Sequence, residues 1–223
     1  MTYALVFLAG LMAVVVWWLV RQTVNVKPWV EQPAIDNVRG NGELSLPPVK
    51  VGLGVFLAVA TSLFALLISA YHMRMMGEDW VRLAVPRVLW LNTAVLILAS
   101  VAMQWTRVAA RRGQADRVKS GMIAAGVLSF GFLAGQFWAW QQMEAAGYFL
   151  AANPAYSFFF LLTAVHGLHL LGGLWVWART TIRVLRGADA VAIRLSVELC
   201  TVYWHYLLAV WVVLFAVLLH AHD

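Results

Sequence analysis

Apolar residues gather in six long runs, near residues 3–20, 51–71, 87–106, 120–142, 157–178 and 195–220, and most of the charge collects in the breaks between them. A run of about 20 apolar residues crosses a hydrocarbon core of about 30 Å as a helix. None of the runs alternates strictly as a barrel strand does, and a helix satisfies its own backbone in lipid. The pattern predicts an all-α, polytopic membrane helix bundle with six transmembrane helices. The longest break, about residues 21–50, carries prolines at 28, 33, 47 and 48. It divides the chain into an N-terminal helix with a Pro-rich cytoplasmic loop, residues 1–50, and a five-helix membrane domain, residues 51–223. No period of 20 to 50 residues recurs, so an inverted-repeat transporter finds little support.

Composition agrees with that pattern: 63% hydrophobic and 12% charged residues with a mean hydropathy of +0.78. Soluble globular domains carry charge on about a quarter of their residues. The net charge of +6 does not read as a nucleic-acid footprint, because of where the basic residues lie. Arg21, Lys27, Arg39 and Lys50 follow the first run, Arg107, Arg111, Arg112, Arg117 and Lys119 surround the break after the third, and Arg179, Arg183, Arg186 and Arg194 lie between the fifth and sixth. Only Arg74, Arg82 and Arg87 lie on the other side, so the positive-inside rule places those three loops in the cytoplasm and both termini outside. Cys200 is the single cysteine, which excludes an intrachain disulfide and any Cys-x-x-Cys chemistry. The first run lacks a basic stretch ahead of it and reads as a retained helix rather than a cleaved signal.

The polar groups inside the runs are the candidates for chemistry, since ionisable side chains in hydrocarbon are costly and face protein or a cavity. His166 and His169 share one helical face, as do Glu198 and His205. Asn92, Thr93 and Gln104 lie in the third run, and Gln136, Trp138, Trp140, Gln141 and Gln142 crowd one end of the fourth. Gly131 and Gly135 have the small-xxx-small spacing of closely packed membrane helices. Imidazoles at similar depth on two helices could ligate a b-type haem, but Tyr203, Trp204 and Tyr206 beside His205 fit a hydrogen-bonded polar core equally well. A di-iron centre needs several carboxylates, whereas Glu198 is the one acid within the runs. Glu198 could relay protons, or form an ion pair with Arg194 one turn earlier. The residues by themselves name no reaction.

Phe158-Phe159-Phe160-Leu161-Leu162-Thr163-Ala164-Val165-His166-Gly167-Leu168-His169 resembles the FF-x-x-TG-x-HG-x-H segment of subunit III of haem-copper cytochrome c oxidases. Glu198 to Tyr206, followed by Val210-Trp211, resembles that family's E-x-x-x-x-YWHF-x-D-x-VW segment. Leu91-Asn92-Thr93 and the Gly131 to Gln136 stretch match further family segments in the same order, so the resemblance covers about residues 51–221. The chain departs from the pattern at Ala60, Leu208 and Ala164, where the family has Glu, Asp and Gly. Loss of the acid at Ala60 weakens a proton-relay role. The first 50 residues stand in place of two helices of longer members, which suggests a short bacterial form.

The resemblance implies a subunit without a catalytic centre, haem, copper or other cofactor of its own, the haems and copper belonging to subunits I and II. It implies packing against subunit I, with subunit II and further subunits in the same complex, and phospholipids held against the chain in a bacterial inner membrane. It also implies support of a cytochrome c oxidase that couples aerobic electron transport to proton pumping. His166, His169, Glu198, His205, Tyr203, Trp204, Thr163, Asn92 and Gln136 are then expected to form a structural or lipid-binding polar seam, with its core between the fifth and sixth runs. A third subunit of a quinol oxidase or nitric oxide reductase, and a stand-alone b-type haem membrane protein, are the alternatives.

Overall fold

The computed structural model describes residues 48–81, 86–187 and 190–220, without the side chains of 190–192 and 220. The apolar run at 3–20 and nearly all of the Pro-rich loop lie outside the described residues, as do Arg82 and His222. Five helices follow in order: α1 Pro48–Met75, α2 Val88–Arg111, α3 Ala115–Ala145, α4 Pro154–Leu185 and α5 Ala190–His220. All five are long and apolar enough to cross a membrane. Each outruns its apolar stretch, because polar and basic flanks continue the backbone ladder into the interface. Two compact units divide the chain at residues 69 and 70, within α1, and α2 to α5 belong to the second.

In that second unit α2 packs on α3, α3 on α4, α4 on α5 and α5 back on α2, a closed ring of four helices. Short connections make neighbours antiparallel, and the side-chain pairs confirm it. Along α2 and α5 the sequence Thr93–Trp211, Ser100–His205, Arg107–Glu198 descends one helix as it climbs the other. Helices α2, α3 and α4 each end at a glycine in the left-handed region: Gly113 (φ 68°), Gly147 (φ 86°) and Gly187 (φ 76°). A side chain there would be strained, and the conformation lets the next amide reach back to the last turn, as Tyr148 N does to Met143 O at 2.9 Å.

At the opposite end, Pro154 opens α4 with its φ already helical and no N–H to waste. Asn153 caps the helix through Oδ1, which accepts from Ala155 N at 2.9 Å. Its amide donates to the carbonyl of Asp79 at 2.7 Å, tying the 76–81 turn to the start of α4. Tyr71 packs edge-on against both Trp80 and Phe158 at the same end.

Helix contact is closest where glycine removes a side chain. A Cβ on Gly135 would sit on the Asn92 carboxamide, one on Gly121 on the Thr106 side chain, and one on Gly126 on the Trp177 ring. Gly131 differs: it is exposed, and the nearest atom to a Cβ there is Val95 Cγ1 at 3.9 Å. Of the small-xxx-small pair only Gly135 is a packing notch, since a Cβ on Gly131 would lie at an ordinary contact distance from Val95 on α2.

Candidate functional site

Helix α5 carries the densest set of functional side chains, and consecutive residues on it serve different neighbours. At 3.6 residues per turn each side chain is rotated about 100° from the last. Tyr203 turns to α4, where its hydroxyl donates to the carbonyl of His169 at 2.8 Å. Trp204 turns inward, and its indole N–H donates to Ser129 Oγ on α3 at 2.9 Å. His205 turns to α2, where Nδ1 meets Ser100 Oγ and Nε2 lies 3.3 Å from Gln104 Oε1. Cα to Cα neighbours therefore hold three separate helices.

The centre of the ring is aromatic. Trp204 and Trp211 are fully buried, as are Phe132 and His166. The His166 imidazole lies between the Phe132 ring (centroids 5.8 Å) and the Trp211 ring (5.1 Å), while Trp211 and Phe132 meet edge to face at 4.9 Å. The Trp211 indole N–H donates to Thr93 Oγ1 at 2.9 Å, so Thr93 holds α5 to α2 at this level. Thr163, also buried, accepts from the Trp140 indole at 3.0 Å and joins α3 to α4. Asn92 and Gln136 are 2% and 4% exposed, at the end of α2 and α3 that carries the Gly135 notch. Gln136 is thus an interior residue, parted from the interfacial cluster that Trp138 keeps on the outside, where it is 53% exposed.

One charged pair bridges α2 and α5. Arg107 Nη2 lies 3.1 Å from Glu198 Oε1, each side chain 24% exposed. The sequence offers Arg194 as the partner of Glu198 and assigns Arg107 to a loop. In the structure Arg107 lies inside α2, one turn before its end, where the antiparallel register brings it level with Glu198. Thr201 lies at the same contact, its hydroxyl shared between Val197 O of its own helix at 2.8 Å and the Met103 carbonyl on α2 at 3.2 Å.

The expected seam between the fifth and sixth runs is therefore distributed differently. Glu198 and His205 do share a face, and that face meets α2 rather than α4. His166 occupies the ring centre, and His169 donates from Nδ1 to its own helix at Val165 O, 2.8 Å away. Tyr203, through the His169 carbonyl, and the buried Thr180 beside Cys200 link α4 to α5. His166 and His205 lie in different surroundings, the ring centre and the outer α2–α5 face, so they do not converge on a common ligand. The sequence reading passed over Ser100 and Ser129, because a hydroxyl in an apolar run gives no periodic signal of its own partner. It also passed over Asn153, although Asn-Pro ahead of an apolar run is a helix-start signal.

These features define a class: a multi-pass, all-α membrane protein whose polar side chains hold helices together around an aromatic centre. Comparison with known proteins gives the family. The family model described as cytochrome c oxidase subunit III matches residues 5–221, and the chain belongs to that family. It is 28% identical over 176 residues to "Cytochrome c oxidase subunit 3" of Thermostichus vulcanus, covering 75% of this chain and 85% of that protein. It is 27% identical over 178 residues to "Probable cytochrome c oxidase subunit 3" of Nocardia farcinica, with the same coverages. With "Cytochrome c oxidase subunit 3" of Synechocystis it shares 28% identity over 170 residues, 74% of this chain and 72% of that one. The chain is thus a haem-copper oxidase subunit III by family.

Proposed function

We propose that this chain is the non-catalytic third subunit of a bacterial respiratory terminal oxidase, stabilising subunit I and holding phospholipids while haems and copper in subunits I and II carry electrons. The observation that carries the reading is the use made of the polar residues. Tyr203, Trp204, His205 and Glu198 each make a hydrogen bond to another helix of the bundle. That is the arrangement of a scaffold. Family membership supports the oxidase assignment.

The same reading keeps the chain as two parts, residues 1–50 and a membrane domain at 51–223, in an inner membrane with both termini periplasmic. The basic residues Arg111, Arg112, Arg117, Lys119, Arg183 and Arg186 at one end of the bundle support the orientation. His166, His169, Glu198, His205, Tyr203, Trp204, Thr163, Asn92 and Gln136 act structurally or against lipid, and none is assigned to catalysis. A quinol oxidase or nitric oxide reductase in place of a cytochrome c oxidase would use the same bundle.

The test is purification through a tag on this chain from its native membranes, followed by subunit identification and a donor assay. The expected result is a complex with a large haem-copper subunit that oxidises cytochrome c. Stripping this chain away should leave the haem bands in place and shorten the time the oxidase stays active in turnover. Recovery of the chain with no haem-bearing partner, from membranes that contain an assembled oxidase, would overturn the reading.

A further inference from the structure

We propose that the end of α1 and the turn after it form a binding site for the cuprous ion, Cu(I), with His72, Met73 and Met76 as its ligands. The proposal goes beyond the function given above, in which the oxidase's copper belongs to other subunits.

The stretch His72-Met73-Arg74-Met75-Met76 places an imidazole and three thioethers within five positions. It follows the apolar run at 51–71 and occupies the last turn of α1 and the residue just past it, at the edge of the membrane. In the orientation proposed above this is the outer side. Exposure sets these methionines apart. Met103, Met122 and Met143 are at most 1% exposed and serve as packing, whereas Met73 is 56% and Met76 80% exposed. His72 is exposed as well, its ring edge-on to Tyr71 with centroids 5.9 Å apart.

Helical geometry sets the three ligands side by side. At about 100° per residue, Met76 falls between His72 and Met73 around the axis. It is four residues from one and three from the other, a spacing that puts Cβ atoms about 5–6 Å apart. The Met76 amide keeps this turn closed by donating to the Met73 carbonyl at 3.4 Å. Thioether arms with three rotatable bonds can then close on one ion. Arg74 falls on the opposite side of the helix by the same count, and its guanidinium bonds to Asp79, Nη1 to Oδ1 at 2.7 Å. Its charge therefore does not oppose a cation beside His72. The turn is itself fixed, since the Asn153 amide donates to the Asp79 carbonyl at 2.7 Å and Trp80 packs on Tyr71.

The donor set selects the ion. Among the described residues no group of three or more His, Cys, Asp or Glu side chains is placed to hold a metal. Zinc, calcium and magnesium therefore lack the nitrogen, thiolate and oxygen sets they require. Thioethers joined by an imidazole suit Cu(I). Met75, half-buried on the other flank of His72, is left to packing.

The test is Cu(I) binding by the full chain, purified alone in detergent through a tag without histidine, in competition with bicinchoninate under anaerobic reducing conditions. A single Cu(I) is expected to bind, undisturbed by excess Zn(II), with sulfur and nitrogen scatterers together in its X-ray absorption spectrum. Met76→Ile and His72→Leu change exposed positions, and unchanged helical circular dichroism shows that each folds. Each is expected to weaken binding at least about tenfold, the least that disturbing even an outer-shell partner costs a metal site. Met75→Ile should leave the affinity as it was. A chain that takes no Cu(I) from the competitor, a spectrum without sulfur scatterers, displacement by Zn(II), or an affinity that survives Met76→Ile combined with His72→Leu would overturn the proposal. So would loss of binding in Met75→Ile but not in Met76→Ile. Because no partner subunit is present, the result is read independently of the oxidase assignment.

Discussion

Arg107 and Glu198, 91 residues apart in the chain, meet at 3.1 Å across the α2–α5 contact. Both are only partly shielded, so their coupling belongs between the exposed and buried limits, about 1 kcal/mol. Arg107→Met leaves a half-buried carboxylate without its cation and is expected to lower the thermal midpoint in detergent. Arg107→Met with Glu198→Met is expected to recover most of that loss, since removing both charges is far cheaper than removing one. A double variant that melts no higher than the single one would show that the pair does not hold this contact.

Two glycines four residues apart on α3 are expected to respond oppositely. Gly135→Ala drives a Cβ into the buried Asn92 carboxamide and should cost about 1–3 kcal/mol, the range for overpacking. Gly131→Ala meets only Val95 Cγ1, at an ordinary contact distance of 3.9 Å, and should be neutral or gain up to about 1 kcal/mol from helix propensity. Thermal unfolding of the two variants side by side measures the difference.

That contrast marks what is legible in an apolar sequence. The five described spans were readable because length and hydropathy alone determine them. Register was not, because nothing in an apolar run says which face meets which neighbour. Glu198 and His205 were correctly placed on one face, yet whether that face meets α2 or α4 depends on how α5 is rotated in the ring. Gly131 and Gly135 look alike in sequence for the same reason. His166 was recognisable as an intramembrane histidine, but its place between Phe132 and Trp211 depends on three helices at once. Arg107 was misread as a loop residue, because an apolar run was taken to end at its first charge.

At the ring centre, Trp204→Phe is expected to be mild. It removes one bond to Ser129, whose hydroxyl still donates to the Ala125 carbonyl at 2.7 Å, and an interhelical bond in a membrane averages about 0.6 kcal/mol. Trp204→Ala removes the whole ring from a position 1% exposed and should cost about 3–5 kcal/mol. Equal losses from the two variants, read as unfolding midpoints, would mean that the indole N–H rather than the ring supports the core.

The Arg74 guanidinium, hydrogen-bonded to Asp79, holds the Asp79 carboxyl below its ordinary value. A carboxyl whose pKa is lower in the folded state adds stability above its unfolded value, about 3.9, and loses it as pH falls through the folded value. The pair is exposed, so the effect is local. Protection of the Trp80 amide, which bonds to the Gly77 carbonyl at 3.1 Å, should be steady at neutral pH and decline on acidification below about pH 4. In Asp79→Asn the protection should start lower and lose that acid dependence, as hydrogen exchange can check.

The central claim is that the imidazoles of α4 and α5 serve the packing of the bundle and carry no redox group. The reduced-minus-oxidised optical spectrum of this chain, purified alone from cells able to make haem, tests it most directly. The account expects a flat spectrum, with haem bands appearing only when the large subunit is present. A Soret band from the chain alone, lost in His166→Leu or His205→Phe variants that still fold, would contradict it.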